Sequence, residues 1–66
     1  MKDVVGKKLK DLRGDRSRKE VAKECGIALS TLQSYEDGSR VPRDEIKMRL
    51  ADYFGVSVES LFYKRD

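Results

Sequence analysis

The sequence contains no histidine and a single cysteine, Cys25. The chain therefore cannot form an internal disulfide bond, and the usual zinc ligand sets are excluded. It also lacks paired cysteines and a glycine-rich phosphate loop, and its serines and tyrosines are accounted for by caps, turns and core positions. We predict that the chain is not an enzyme and that it binds no metal, cofactor or small-molecule ligand.

Long apolar runs are also missing. No stretch approaches the roughly 20 residues of a transmembrane helix, and the first eight residues, M-K-D-V-V-G-K-K, lack the apolar core of a signal peptide. A free cysteine is compatible with a reducing compartment. These features predict a soluble cytoplasmic protein.

The length and the distribution of charge along the chain say more about fold and function than the overall composition does. At 66 residues the chain has room for one small domain with one core, which favours helical packing. The net charge is only +3, but residues 1–24 carry nine basic and five acidic side chains, whereas residues 44–66 carry four and five. Positive charge in the N-terminal half suits a surface that meets phosphate. The alternative is that these charges only keep the domain soluble.

Apolar spacing predicts three helices outside the central part of the chain. Val5, Leu9 and Leu12 follow the spacing of one helical face, which predicts a first helix over residues 2–13. Asp15 and Arg16 are expected to be turn residues with no further role. A broad apolar face predicts another helix over residues 44–54, and a short last helix is expected over residues 58–62.

The central segment, residues 17–38, predicts two short helices joined by a tight turn. Ser17 is a suitable N-cap, and Glu20 three residues later completes a capping box. Gly26 is expected to end this helix near Cys25, because glycine enters the left-handed conformation without steric cost.

The second of these helices is expected over residues 29–36. It turns Leu32 and Tyr35 towards the core, because these two residues lie three apart on one face. The side chains on the opposite face are uncharged, and they are short and polar apart from one leucine. Such a face can lie close against a DNA groove. That face consists of Leu29, Ser30, Gln33 and Ser34.

This central segment resembles the helix-turn-helix of the Cro and phage-repressor family of bacterial transcription regulators, and in particular short regulators of prophages and mobile elements. The resemblance covers nearly the whole chain. It rests on Ser17, Val21-Ala22, Gly26, Ile27, Leu32, Tyr35-Glu36-Asp37-Gly38, Arg40-Val41-Pro42 and residues 50–61. It implies an all-α, compact five-helix domain of the lambda-repressor-like fold over residues 1–66.

The resemblance also implies a function. The chain is expected to bind double-stranded DNA in the bacterial cytoplasm, associated with the nucleoid, as a sequence-specific repressor that forms a homodimer on a palindromic operator. The uncharged face of the second central helix, Leu29, Ser30, Gln33 and Ser34, is expected to read bases. Phosphate contacts are expected from Arg18, Lys19, Arg40 and Arg43, although Arg43 could instead cap the fourth helix.

Three residues depart from the family pattern. Arg18 stands where glutamine is usual, Ala28 replaces the usual serine or threonine cap, and Leu29 stands where a polar base reader is frequent. Two alternatives therefore stay open. One is a controller or antitoxin that regulates its own operon. The other is a protein-binding module on the same fold, acting as an antirepressor or toxin neutraliser.

Two contacts in the resembled family suggest further roles for residues of this chain. A helix 1 arginine often meets the glutamate that ends the recognition helix, which suggests a pair between Arg13 and Glu36; the alternative is two separate surface charges. The C-terminal region often forms a two-fold dimer contact, and core completion in a monomer is the alternative there. The candidate dimer residues are Val58, Leu61, Phe62 and Tyr63.

Overall fold

A computed structural model of the protein describes the backbone of residues 2–63 and the side chains of residues 4–63. Over this part of the chain the structure has five helices, as predicted. They are α1 (Lys2–Arg13), α2 (Arg18–Cys25), α3 (Leu29–Asp37), α4 (Asp44–Phe54) and a single π-helical turn, α5 (Glu59–Tyr63). The last helix thus begins one residue later than the sequence pattern indicated, which is within the usual uncertainty of a helix end.

Local sequence signals set the ends of α2. The backbone N–H of Glu20 donates to the Ser17 hydroxyl at 3.0 Å. This is one of the two hydrogen bonds of the predicted capping box, the one that the Ser17 side chain accepts. Gly26 then adopts φ +73°, and its N–H bonds back to the last turn of the helix. The turn between α2 and α3 is therefore fixed by a glycine that accepts the left-handed conformation.

One core holds the helices together. It is built from side chains of all five elements, and Leu9, Val21, Leu32 and Leu50 are completely or almost completely buried. Val5 and Leu12 of α1 pack against this core, which confirms the predicted apolar face of the first helix. Burying these aliphatic side chains supplies the main favourable term in folding.

Helices α1 and α3 approach each other closely at Gly6. A Cβ atom added there would overlap the backbone carbonyl oxygen of Glu36, and it would lie 2.8 Å from the carbonyl carbon of Glu36 and 3.0 Å from the oxygen of Tyr35. Only glycine leaves room for this approach. Since nothing in the sequence around Gly6 indicates a crossing, this role was not predicted.

Arg16 does more than occupy a turn, so the expectation for this residue was wrong. Its guanidinium donates to the carbonyl oxygens of Leu12 and Arg13 and to the Tyr53 hydroxyl, at 2.9, 3.2 and 3.1 Å. It also lies 5.2 and 5.4 Å from the ring centroids of Tyr53 and Phe54. Arg16 thus donates hydrogen bonds to carbonyl oxygens at the C-terminal end of α1, and its contacts with Tyr53 and Phe54 link this helix to α4.

The Tyr53 hydroxyl also bonds to the side chain of Glu24, which adds α2 to this connection. The hydrogen bond to the Glu24 carboxylate raises the pKa of Tyr53, because the phenol must keep its proton to donate.

Cys25 lies in the core with 6% of its surface exposed. Burial raises the pKa of its thiol, and the nearby Glu24 carboxylate adds to this effect. A buried thiol that keeps its proton is a poor nucleophile. Cys25 therefore acts as a small apolar side chain beside Val21 and Ala22.

Candidate DNA-binding surface

Helix α3 presents two different faces. Leu32 and Tyr35 are 1% and 4% exposed, so this side of the helix lies in the core as predicted. On the other side Leu29, Ser30 and Gln33 are exposed and Ser34 is half-buried. The structure therefore brings the four predicted base-reading residues to a common face of α3, which carries no charged side chain among them.

The start of α3 has no side-chain cap. Ala28 occupies the N-cap position with φ −73° and ψ 151°, and it has no oxygen with which to accept a hydrogen bond from the first turn. Leu29, the next residue, is 41% exposed although it is apolar. This end of α3 thus combines uncapped backbone N–H groups with an accessible aliphatic side chain.

The loop after α3 is fixed by the carbonyl oxygen of Ser34. This oxygen accepts hydrogen bonds from the backbone N–H groups of Ser39 and Arg40 at 3.0 and 3.2 Å, and from the Ser39 hydroxyl at 3.3 Å. The Arg40 guanidinium lies 5.9 Å from the centroid of the Tyr35 ring. Arg40 is exposed, and the backbone of its loop is held against the C-terminal end of α3.

Glu36 is the buried charged residue among the described side chains. Its carboxylate accepts from Arg13 through Nε at 2.8 Å and Nη2 at 3.2 Å, and from Arg18 through Nε at 2.8 Å. The Glu36 side chain is 1% exposed, that of Arg13 18% and that of Arg18 41%. The suggested pair between Arg13 and Glu36 is thus present, and the second arginine, from α2, was not predicted.

The remaining basic candidates, Lys19 and Arg43, are exposed. Lys19 lies in the first turn of α2, next to Arg18. Arg43 occupies the N-cap position of α4, but its side chain makes no capping hydrogen bond. The Arg43 backbone is therefore the last part of the loop before α4, and the Arg43 side chain is exposed.

One of the four candidate dimer residues is not at the surface. Leu61 is 2% exposed and belongs to the core, so its side chain cannot contribute to a contact with another molecule, and we remove it from the set. Val58 and Phe62 are half-buried, and Tyr63 is 61% exposed. Lys47 donates to the Tyr63 hydroxyl at 2.7 Å, and its ammonium lies 5.7 Å from the centroid of the Phe62 ring.

A shallow depression next to α5 has a mainly apolar lining, and its lining includes Met48, Val56 and Val58. Met48 is 64% exposed and lies in this depression beside Val56 and Val58. Met48 is not part of the apolar face that predicts the helix over residues 44–54, and no role was predicted for it from the sequence.

Residues 4–63 offer neither a metal site nor a membrane-spanning helix. No three histidine, cysteine, aspartate or glutamate side chains lie together in a way that could hold a metal ion. None of the helices described is both long and apolar enough to cross a bilayer.

Comparison with known proteins gives a consistent result. The helix-turn-helix family model matches residues 7–61. A curated protein of Vibrio cholerae, the cryptic phage CTXphi transcriptional repressor RstR, is 36% identical over 60 residues, which is 88% of this chain. The chain spans 54% of the length of that relative. No solved structure matches significantly.

The family match includes both central helices, the turn at Gly26 and the core residues Leu9 and Leu61. It also agrees with the expectation that the chain is a regulator and not an enzyme. The chain belongs to the helix-turn-helix family, and it is similar to a phage transcriptional repressor.

Proposed function

We propose that this regulator binds double-stranded DNA in a sequence-specific manner and represses transcription, with α3 in the major groove. The observation that carries the proposal is the division of α3 into a core face and an exposed face on which Leu29, Ser30 and Gln33 carry no charge, while the exposed Asp37 lies at the C-terminal end of the helix. The major groove of B-DNA is wide enough to admit an α-helix, and every base pair presents there a different set of donors, acceptors and methyl groups. The repressor name of the Vibrio cholerae relative supports the direction of regulation.

Each exposed residue of α3 has a chemistry suited to a base edge. Gln33 can form two hydrogen bonds with adenine, while Ser30 and Ser34 can each donate and accept. Leu29 can offer only an apolar contact, which fits the methyl group of thymine. The half-site is therefore expected to be rich in A·T pairs.

Selection of bound duplexes from a random pool tests this assignment. A good bidentate contact discriminates by about 1–3 kcal/mol, so Gln33→Ala should relax the preference at one base pair. Leu29→Ser should weaken the preference for a thymine at a different position, because it removes the methyl contact. Thr31→Ala is the matched control, since Thr31 is a half-buried residue of the same helix outside the proposed reading set. An unchanged consensus for both Gln33→Ala and Leu29→Ser would contradict base reading by α3.

Phosphate contacts are assigned to the basic side chains beside α3. We infer that Arg18, Arg40, Lys19 and Arg43 meet the backbone of the DNA, with Arg18 and Arg40 as the main contacts. These side chains lie on α2 and in the loop that the Ser34 carbonyl fixes, which are the two segments next to α3 in the chain. Such contacts position the protein without reading sequence.

A homodimer on a palindromic operator is also proposed. The surface would comprise Val58, Phe62 and Tyr63 together with Met48 and Val56, all partly or largely exposed apolar side chains at α4 and α5. Covering them in a dimer removes apolar area from water. Two copies of α3 would then face successive major grooves about 34 Å apart, so that half-site centres lie about 10 base pairs apart.

Sedimentation tests the dimer through Val58→Asp. A carboxylate in the middle of an apolar contact loses its hydration, so we expect this variant to be monomeric where the wild type is dimeric, in solution or on DNA. Val4→Asp is the matched control, because Val4 is an exposed valine on α1 outside the proposed set of contact residues. Circular dichroism should show that both variants keep their helices. A wild type that stays monomeric at high micromolar concentration and on its selected DNA would contradict the dimer.

A protein-binding module on the same fold is the second candidate function. The exposed Leu29 and the uncapped start of α3 favour it, because an apolar helix end also suits a protein partner. A gel shift with the DNA that flanks the chain's own gene separates the two. Binding there supports the regulator, including one that controls its own operon, whereas failure to bind that DNA or any selected duplex supports the protein-binding module.

A further inference from the structure

The two ends of the Arg18 guanidinium lie in different environments. Its Nε donates to Oε1 of Glu36 at 2.8 Å, and that carboxylate side chain is 1% exposed. The Arg18 side chain as a whole is nevertheless 41% exposed. Nε of Arg18 is thus held at a buried acceptor, whereas its terminal nitrogens Nη1 and Nη2 make no hydrogen bond to the described residues.

The carboxylate that holds Arg18 is itself fixed. Arg13 donates to Oε2 of Glu36 at 2.8 Å and to Oε1 at 3.2 Å in a two-point arrangement. No buried side-chain nitrogen or oxygen of the described residues lacks a hydrogen-bond partner, so the carboxylate has no reason to reorient. A planar guanidinium attached to such an acceptor loses most of its rotational freedom before any ligand arrives.

We propose that Glu36 is a positioning residue for DNA binding: it retains Nε of Arg18 and thereby directs Nη1 and Nη2 of Arg18 to a single phosphate. The inference rests on the proposed function and assigns a mechanism to one of its phosphate contacts. A guanidinium can serve both partners at once because it carries several N–H donors in a fixed plane. Since the side chain is ordered in the free protein, little conformational entropy is lost on binding.

Lysine at position 18 provides the decisive comparison. Its ammonium is a single nitrogen, which can stay at Glu36 or reach the phosphate but cannot span both. Arg18→Lys keeps the charge and leaves the pair between Arg13 and Glu36 in place, so the variant should fold. Circular dichroism and thermal melting verify this before binding is measured.

The first measurement is the salt dependence of binding to a fluorescein-labelled 20-base-pair duplex of random sequence. Loss of one phosphate contact should reduce the slope of log K against log salt by about 0.9 for Arg18→Ala, and the proposal expects the same loss for Arg18→Lys. Both should bind about tenfold more weakly than the wild type at low salt. Lys23→Ala is the control for charge alone, since Lys23 is an exposed basic residue in the last turn of α2, and it should change the slope much less.

The second measurement follows the Arg18 Nε–H resonance by ¹⁵N NMR. A proton held at Glu36 exchanges slowly, so the signal should be sharp in the free protein and should remain in the DNA complex with little change in shift. A signal that moves or disappears in the complex would mean that Arg18 leaves Glu36 to bind phosphate, and it would overturn the positioning role.

The outcomes separate this proposal from the proposed function. If Arg18→Lys keeps the wild-type slope and affinity, charge alone is sufficient and Glu36 positions nothing. If Arg18→Ala keeps the wild-type slope, Arg18 makes no phosphate contact, although the protein still binds DNA through other residues. If the wild type binds neither the random duplex nor any selected one, the proposed function itself fails.

Discussion

Replacing Gly6 with alanine is expected to destabilise the protein by about 2 kcal/mol. The added methyl group would meet the backbone carbonyl of Glu36, and backbone cannot rotate away as a side chain can. Overpacking of a well-packed contact costs typically 1–3 kcal/mol, and the roughly 1 kcal/mol that alanine gains over glycine in helix propensity offsets only part of a large clash. For a domain of this size each kcal/mol lowers the melting temperature by about 4–8 °C, so a fall of roughly 8–16 °C should be measured by circular dichroism.

Two controls separate the clash from other effects of the substitution. Lys7→Ala changes the next residue of α1, which is exposed, and it should leave the melting temperature nearly unchanged. Gly14→Ala places alanine at φ +60° with no atom within 4 Å, so it measures backbone strain without a clash. A Gly6→Ala protein as stable as the wild type would show that α1 and α3 are further apart than the structure indicates.

Removal of the buried carboxylate, Glu36→Ala, is expected to cost about 3–5 kcal/mol. The loss is large because Arg13 is mostly buried, and without Glu36 its charge has no anionic partner at that position. Arg18 loses the same partner, but it is partly exposed and can regain hydration. Urea unfolding followed by circular dichroism measures the change, and a variant that does not fold at all would agree with the upper end of the range.

An exposed ion pair of the same chemistry provides the control. Arg49 donates to Glu45 at 3.2 Å, and the two side chains are 47% and 67% exposed. Exposed pairs contribute about 0–1 kcal/mol, so Glu45→Ala should have a small effect. If Glu36→Ala and Glu45→Ala were equally mild, burial would not be what makes the Glu36 cluster important.

The sequence was most informative where structure is determined by neighbours in the chain. The capping serine, Ser17, and the terminating glycine, Gly26, act within one helical turn, so their residue types alone predict the ends of α2. The inward face of α3 follows from helical spacing, which places Leu32 and Tyr35 in the core. For these features no knowledge of the rest of the fold is needed.

Apart from the pair between Arg13 and Glu36, which the family resemblance suggested, the features that depend on two distant segments were found only in the structure. Gly6 is simply a poor helix former in α1 until α3 is placed against it. Arg18 was interpreted as a surface residue because nothing nearby in the sequence is an obvious partner, whereas Glu36 lies eighteen positions away. The apolar residues of the last helix could not be divided between core and surface, so Leu61 was misassigned, and the exposed Met48 of α4 was overlooked.

The division of α3 into two faces limits how this regulator can be re-targeted by protein engineering. Leu29, Ser30 and Gln33 contact solvent, so they can be exchanged for the residues of another operator-binding protein without disturbing the core. Glu36 cannot be transplanted or removed in the same way, because its partners come from α1 and α2. A whole-helix graft would leave two arginines unmatched, whereas a graft of the outer positions alone keeps the scaffold intact.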